Sequence, residues 1–155
     1  MTVWPRLHVA VLAFWVGVML FFSGLLAPIA FQTFPTAQAG DLMNKLFAPY
    51  HIVGYVCGGA ALVTAWFAGG LRGKVRNVLL IALLGATFYA GLVLSPEART
   101  LRAELRQTDT ATENPVTKAR FDTLHRRAVT LNGAILIGAV AALVWAVVSP
   151  PKRQK

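Results

Sequence analysis

Four apolar runs, each about as long as a membrane is thick, constrain this chain more than any other feature. A transmembrane helix needs about 20 mostly apolar residues, because the hydrocarbon core is about 30 Å thick and a helix rises about 1.5 Å per residue. The runs cover residues 7–26, 47–67, 75–94 and 128–148. The sequence therefore predicts an all-α integral membrane protein, a four-transmembrane-helix bundle formed as a single membrane domain of residues 1–155.

Composition supports lipid rather than water as the main solvent of this chain. Only 14% of the residues are charged and 56% are hydrophobic, whereas a soluble domain carries about 25% charged residues. The net charge of +9 comes mostly from Lys and Arg just outside the apolar runs, where membrane proteins keep them. We therefore expect the lipid bilayer as a partner and no nucleic acid.

Breakers mark the ends of the runs, at Pro28, Gly69–Gly70, Ser95–Pro96 and Pro150–Pro151. The first run has an apolar core longer than that of a signal peptide, so we expect it to be retained as a helix. Positive charges are almost evenly divided between the two sides, but those beside the termini are unaccompanied by acids. We expect a bacterial inner (plasma) membrane protein with both termini in the cytoplasm.

Two connections carry helical patterns of their own. The apolar residues from Leu42 to Tyr50 recur at helical spacing and predict a short interfacial helix after span one. The polar segment 95–127 begins with Ser95, Pro96 and Glu97, which form a good helix start. Its second half continues the apolar stripe of the fourth run. The segment is therefore predicted to be a surface helical hairpin before span four.

Polar residues within or beside apolar runs are the candidates for chemistry. If the four spans alternate in direction, one face of the membrane collects a set of them, opposite to His8. Asn132 follows His125 by seven residues, which places it on the same helix face and about 10 Å deeper. The sequence thus predicts a polar pocket floored by Asn132. The polar residues on this face are Gln32, Tyr50, His51, Asp122, His125, Arg126, Arg127 and Asn132.

Histidines in this pocket suggest a cofactor, since neutral imidazole is a common ligand of haem and of metals. The best ligand pair is His51 with His125, or else His8 alone. The alternatives are interfacial histidines bonded to loop backbone, an Asp122 that pairs with Arg126 rather than orienting His125, and an Asn132 that only clasps a neighbouring helix. No metal site is expected, and no motif of nucleophilic catalysis is present.

Two stretches carry a family resemblance. The first runs from Ala27 to Phe31 and continues from Ala39 through Phe47 to Tyr50, and the second runs from Phe121 to Arg127, followed by Asn132. Together they resemble the transmembrane-protein-205-like family, a domain of unknown function, over about residues 7–148. The resemblance implies a small four-span membrane protein without a settled activity.

The first run is also similar to the first helix of the haem-containing, membrane-bound protoporphyrinogen oxidases. The similarity lies in Leu7–His8 followed by residues 14–17. It implies a haem ligand early in span one. The lysine expected near the third span is absent, and Arg76 is the nearest substitute.

Three hypotheses of function follow. The first is a membrane redox protein that binds haem b or a porphyrin-like ligand, and, if it is an enzyme, an oxidoreductase. The second is a non-catalytic membrane scaffold that binds a protein partner through the hairpin of residues 95–127. The third is a permeation path for a small solute.

Overall fold

The computed structural model of this chain describes residues 3–68, 73–107 and 115–148. Within these residues, four long helices have the length and hydropathy to cross a membrane. The prediction of an all-α four-helix membrane bundle is therefore confirmed. The elements are α1 (Trp4–Leu20), a π-helical segment (Phe21–Leu26), α2 (Ala27–Thr33), α3 (Thr36–Ala68), α4 (Gly73–Tyr89), a second π-helical segment (Ala90–Leu94), α5 (Ser95–Gln107) and α6 (Pro115–Val148).

The two π-helical segments each lie just before a proline, at Pro28 and at Pro96. A proline has no N–H to bond the carbonyl four residues earlier, and its ring crowds that carbonyl. A wider turn relieves the crowding: the N–H of Ala27 bonds the carbonyl of Phe22, and that of Ser95 bonds the carbonyl of Ala90. The helices therefore continue through two positions that the sequence analysis treated as ends of spans.

The first break in the chain comes instead at Phe34, whose φ of −112° and ψ of 151° are extended. The following Pro35 imposes this conformation on the residue before it. α3 then runs without interruption from Thr36 to Ala68. The residues of the predicted interfacial helix are helical and lead into span two, and they form the first part of α3 rather than an element of their own. They pack on the first π-helical segment and α2 through Phe22, Ala30, Ala39 and Met43.

The four long helices close into a ring, in which α1 packs on α3 and α6, and α4 packs on the same two helices. α3 and α6 thus lie diagonally across the bundle. Gly58 permits close approach of α3 and α4, because an added Cβ would lie 2.8 Å from the side chain of Leu84. We call the buried layer in the middle of the bundle the apolar layer. It includes Leu12, Trp15, Met19, Cys57, Ala61, Leu80, Leu83, Ile135 and Ala139.

Beyond the apolar part of the bundle, α5 packs against the first part of α6. We call α5 together with residues 115–127 the hairpin. Both of its arms are helical, as predicted for a surface helical hairpin. The connection between the arms, residues 108–114, lies outside the described residues. The hairpin therefore extends two of the spans as helices beyond their apolar runs.

Candidate functional site

The structure brings two residues of the predicted pocket together in the bundle. The hydroxyl of Tyr50 donates to Oδ1 of Asn132 at 2.6 Å, across the diagonal between α3 and α6. Nδ2 of Asn132 donates to Oγ of Ser23 at 3.0 Å, in the first π-helical segment. The result is a chain of side-chain hydrogen bonds through three of the four long helices.

His51 lies next to this chain, on α3, and is 9% exposed. Its Nε2 is 3.1 Å from Oγ of Ser95, the first residue after the second π-helical segment. Its ring stacks between those of Phe47 and Tyr55, with centroid distances of 6.1 and 6.3 Å. Nδ1 is buried without a hydrogen-bond partner among the described residues. This level of the bundle, with Ser23, Tyr50, His51, Ser95 and Asn132, is called the hairpin end below.

A small cavity of about 10 Å³ lies at the hairpin end, among Tyr50, His51, Thr87 and Asn132. Trp15, Met19 and Ile135 close it from the side of the apolar layer. A cavity of this volume holds about one water molecule. The site therefore has polar groups and burial, but it has no room for a larger ligand in this arrangement of the helices.

The remaining residues of the predicted pocket do not join this site. Gln32, Asp122, His125, Arg126 and Arg127 are all exposed. The ring of His125 stacks on Phe121, with a centroid distance of 6.1 Å, and no contact among the described residues links it to His51. The reason is that His125 lies above the closed ring of helices, where α6 buries Leu124 against its neighbours and leaves the adjacent positions open.

His8 lies at the opposite level of the bundle, which is called the terminal end below, and is 2% exposed. The hydroxyl of Thr64 donates to the carbonyl of Ala60 at 2.8 Å, as threonine often does in membrane helices. Its oxygen is thereby left to accept from Nδ1 of His8 at 3.0 Å. This places the proton of a neutral His8 on Nδ1, and Nε2 has no partner among the described residues. Arg76 donates to the carbonyl of Ala65 nearby on α3.

Haem does not fit between the histidines that the sequence analysis paired. The cavity beside His51 is about 10 Å³, far smaller than a porphyrin ring. His51 bonds Ser95 through Nε2, while His125 is exposed on the hairpin. A macrocycle at His51 would require the helices to separate.

The hairpin, in contrast, contains an open cleft of about 750 Å³. Two arginines line it, Arg120 and Arg127, together with the carboxylate of Glu97. No hydrogen bond or ion pair with another described residue engages either arginine. The rest of the lining is largely apolar and comprises Leu101, Pro115, Val116, Ala119, Thr123 and Leu124.

A clamp holds the hairpin to α3. The guanidinium of Arg102, on α5, donates to the carbonyls of Ala37 and Thr36 at 3.1 and 3.3 Å. It lies directly over Gly40, where a Cβ would overlap it, and 3.9 Å from the carboxylate of Asp41. This contact between α5 and α3 therefore requires glycine at position 40.

Sequence reasoning missed Ser23, Ser95 and the clamp of Arg102 on Gly40. The signal for the two serines was present. Each lies at a π-helical segment beside a proline, Pro28 or Pro96, and such segments are frequent at functional sites. The clamp joins residues 62 positions apart, and no local sequence pattern indicates such a contact.

Comparison with known proteins identifies one matching family. No curated protein and no solved structure matches this chain. The model of one protein family, a domain of unknown function named DUF4149, matches residues 10–107. The match includes α5 with Glu97, Leu101 and Arg102, and it includes Ser23, Tyr50, His51 and Ser95. With most of its length matched, this integral membrane protein belongs to the DUF4149 family.

Proposed function

We propose that this protein is a non-catalytic membrane accessory protein that holds a partner in the cleft of its hairpin. The observation that carries the proposal is the contrast between two spaces. The cleft has a volume of about 750 Å³ and is lined by two arginines, whereas the cavity inside the bundle has about 10 Å³. A ligand-sized site thus lies on the hairpin rather than between the membrane spans.

The closed interior counts against the permeation hypothesis. Leu12, Trp15 and Leu80 are at most 2% exposed and fill the apolar layer between the two ends of the bundle. A solute would have to displace these side chains to pass. The polar groups at the hairpin end are engaged in joining the helices, which suits a structural role for them.

The hairpin is built to keep its shape, and this supports a docking role. Arg102 ties α5 to α3, and α5 packs along α6. A surface that is ordered before binding loses less conformational entropy when it binds. The cleft therefore suits a partner that docks on a preformed surface.

Photo-crosslinking tests the docking role. A photoreactive amino acid at Ala119, which is exposed and lines the cleft, should give a discrete adduct in intact membranes. The matched control is the same group at Ile137, which is 72% exposed on α6 away from the hairpin. A second variant, Ala119→Trp, fills the cleft and should abolish capture from a reporter at Val116 without unfolding the bundle. Equal adducts at positions 119 and 137 would contradict the proposal.

The redox hypothesis has its own test. A visible absorption spectrum of the purified protein, made with ample haem and recorded oxidised and reduced, should be flat. A Soret band that is lost in His8→Ala, or in the double variant His51→Ala with His125→Ala, would replace the docking proposal with a haem site.

A further inference from the structure

The chemistry of the cleft indicates what kind of partner it holds. Arg120 and Arg127 line it seven residues apart, which is two helical turns and about 10 Å along one face of α6. Arginine presents a planar set of donors that matches phosphate oxygens. The two side chains therefore form a cationic edge along one wall of the cleft.

The position of the cleft relative to the bilayer gives further information about the kind of partner it binds. Arg127 directly precedes the apolar run of residues 128–148, and Glu97 comes just after the run that ends at Leu94. The base of the cleft thus lies at the edge of the hydrocarbon. The headgroup layer on each face is about 5–7 Å thick, so Arg127 lies at its inner side and Arg120, about 10 Å farther along α6, lies just beyond its outer side.

The apolar part of the lining fits the apolar part of a lipid molecule. Leu101, Val116, Ala119 and Leu124 provide walls that suit the glycerol and upper acyl segments of a lipid. Basic pockets between helices at a membrane interface are a known mode of binding for anionic lipid headgroups. An acidic protein segment would meet the same arginines, but it would have to enter a cleft whose base is already at lipid level.

We propose that the cleft binds the phosphate headgroup of an anionic phospholipid from the adjacent leaflet. The inference rests on the proposed docking function and names its partner. Arg127 binds the phosphate at the base of the cleft and Arg120 binds the outer part of the headgroup. Glu97, which shares the cleft, opposes the negative charge and limits the affinity.

The test uses the full-length protein in phosphatidylcholine nanodiscs that contain a small fraction of spin-labelled phosphatidylglycerol. The fraction of immobilised label gives the relative association constant, with spin-labelled phosphatidylcholine as the reference lipid. Each basic residue near an anionic surface contributes about fivefold in binding. Arg127→Gln should therefore weaken the preference about fivefold, and the double variant Arg120→Gln with Arg127→Gln should weaken it about 25-fold. Glu97→Gln should strengthen it.

Arg126 offers a matched control, because it is the exposed neighbour of Arg127 and does not line the cleft. Both arginines attract the anionic surface over a distance, but only Arg127 lines the cleft, so Arg126→Gln should weaken the preference less than Arg127→Gln does. Equal losses in Arg126→Gln and Arg127→Gln, or no preference for phosphatidylglycerol in the unmodified protein, would overturn the lipid inference. Circular dichroism of each variant confirms that the bundle stays helical.

The photoreactive group at Ala119 separates the two proposals. A lipid adduct at Ala119 that is richer in anionic phospholipid than the lipid adduct at the exposed Ile137 supports both of them. A protein adduct with no lipid adduct preserves the docking function and overturns the lipid inference. No adduct of either kind overturns both.

Discussion

At the hairpin end of the bundle, Tyr50, Asn132 and Ser23 bond side chain to side chain across three long helices. At the terminal end, His8 and Arg76 both bond to one short stretch of α3, at Thr64 and Ala65. The hairpin end also contains both π-helical segments and the bond from His51 to Ser95. Its polar groups therefore fix the relative positions of all four helices.

This difference separates two uses of polar groups within one bundle. Hydrogen bonds between distant side chains specify how helices are arranged, since an unmade bond in lipid leaves a polar group unsatisfied. The terminal end makes fewer such bonds, while each end leaves one histidine nitrogen without a partner among the described residues, Nε2 of His8 and Nδ1 of His51. We infer that the hairpin end is organised to support the hairpin above it, and that the terminal end mainly closes the bundle.

The largest loss of stability is expected from a substitution in the apolar layer, which lies between the two ends of the bundle. Trp15 is 2% exposed and lies against the cavity of the hairpin end. Trp15→Ala should lower the free energy of unfolding by about 3–5 kcal/mol, because it leaves a large cavity in a packed core. Steric trapping in bicelles measures this free energy. The control is Trp66→Ala, since Trp66 is 76% exposed; similar losses in the two variants would contradict the assignment of Trp15 to the core.

The next effect should come from the clamp between the hairpin and α3. Gly40→Ala puts a Cβ where the guanidinium of Arg102 lies and should displace it from the carbonyls of Thr36 and Ala37. The expected cost is about 1–2 kcal/mol, since bonds from a charged donor are worth about 1.5–3 kcal/mol and a displaced arginine recovers part of this from water. Asp41 adds little, because its ion pair with Arg102 is long and partly exposed.

Hydrogen exchange locates the effect of Gly40→Ala. Amide exchange should accelerate in α5 and in the first turns of α3, while α4 stays protected. Gly59→Ala is the matched control on the same helix, because an added Cβ there meets nothing within 4 Å. If α5 exchanges at the unmodified rate in Gly40→Ala, Arg102 does not hold the hairpin.

The architecture could be predicted from the sequence because a membrane allows few backbone structures to cross it. Runs of about 20 apolar residues allow only helices. The break before Pro35 was not among the predicted ends, although the restriction on the residue before a proline explains it. The failures came from Pro28 and Pro96, where local rules indicate an end. In lipid, a helix that stops exposes backbone groups to hydrocarbon, so a π-helical turn is the less costly outcome.

The site was harder to predict than the fold. Tyr50 and Asn132 meet because α3 and α6 lie diagonally across the ring, and placing residues by membrane side and depth was enough to group them. The same reasoning also grouped His125 and Arg126, which are exposed. Depth alone does not say which residues lie above the closed ring, since that depends on where the neighbouring helices end.

A smaller effect tests whether the hairpin end specifies the helix arrangement. Tyr50→Phe removes the hydroxyl that donates to Oδ1 of Asn132, so Oδ1 loses this hydrogen bond. Hydrogen bonds between membrane helices contribute about 0.6 kcal/mol on average and about 1.7 kcal/mol at most, so the loss of stability should fall in this range. A double-mutant cycle with Asn132→Ala isolates the coupling. Tyr89→Phe, at a tyrosine that is 52% exposed, provides the control; a coupling near zero would mean that the bond does not hold α3 to α6.

The smallest effect is expected at the terminal end, for His8→Leu. The Thr64 hydroxyl keeps its bond to the Ala60 carbonyl when His8 is removed, so the substitution leaves no donor unsatisfied. It also removes a buried acceptor without a described partner, and replacing such a group by an apolar side chain of similar size is close to neutral or stabilising. The free energy of unfolding should therefore change by less than about 1 kcal/mol, which is below the upper part of the range expected for Tyr50→Phe. A loss above about 2 kcal/mol, with none in the exposed control His125→Leu, would show that Nε2 of His8 takes part in an interaction of its own. In that case the terminal end, rather than the hairpin end, would hold the more important polar site of the bundle.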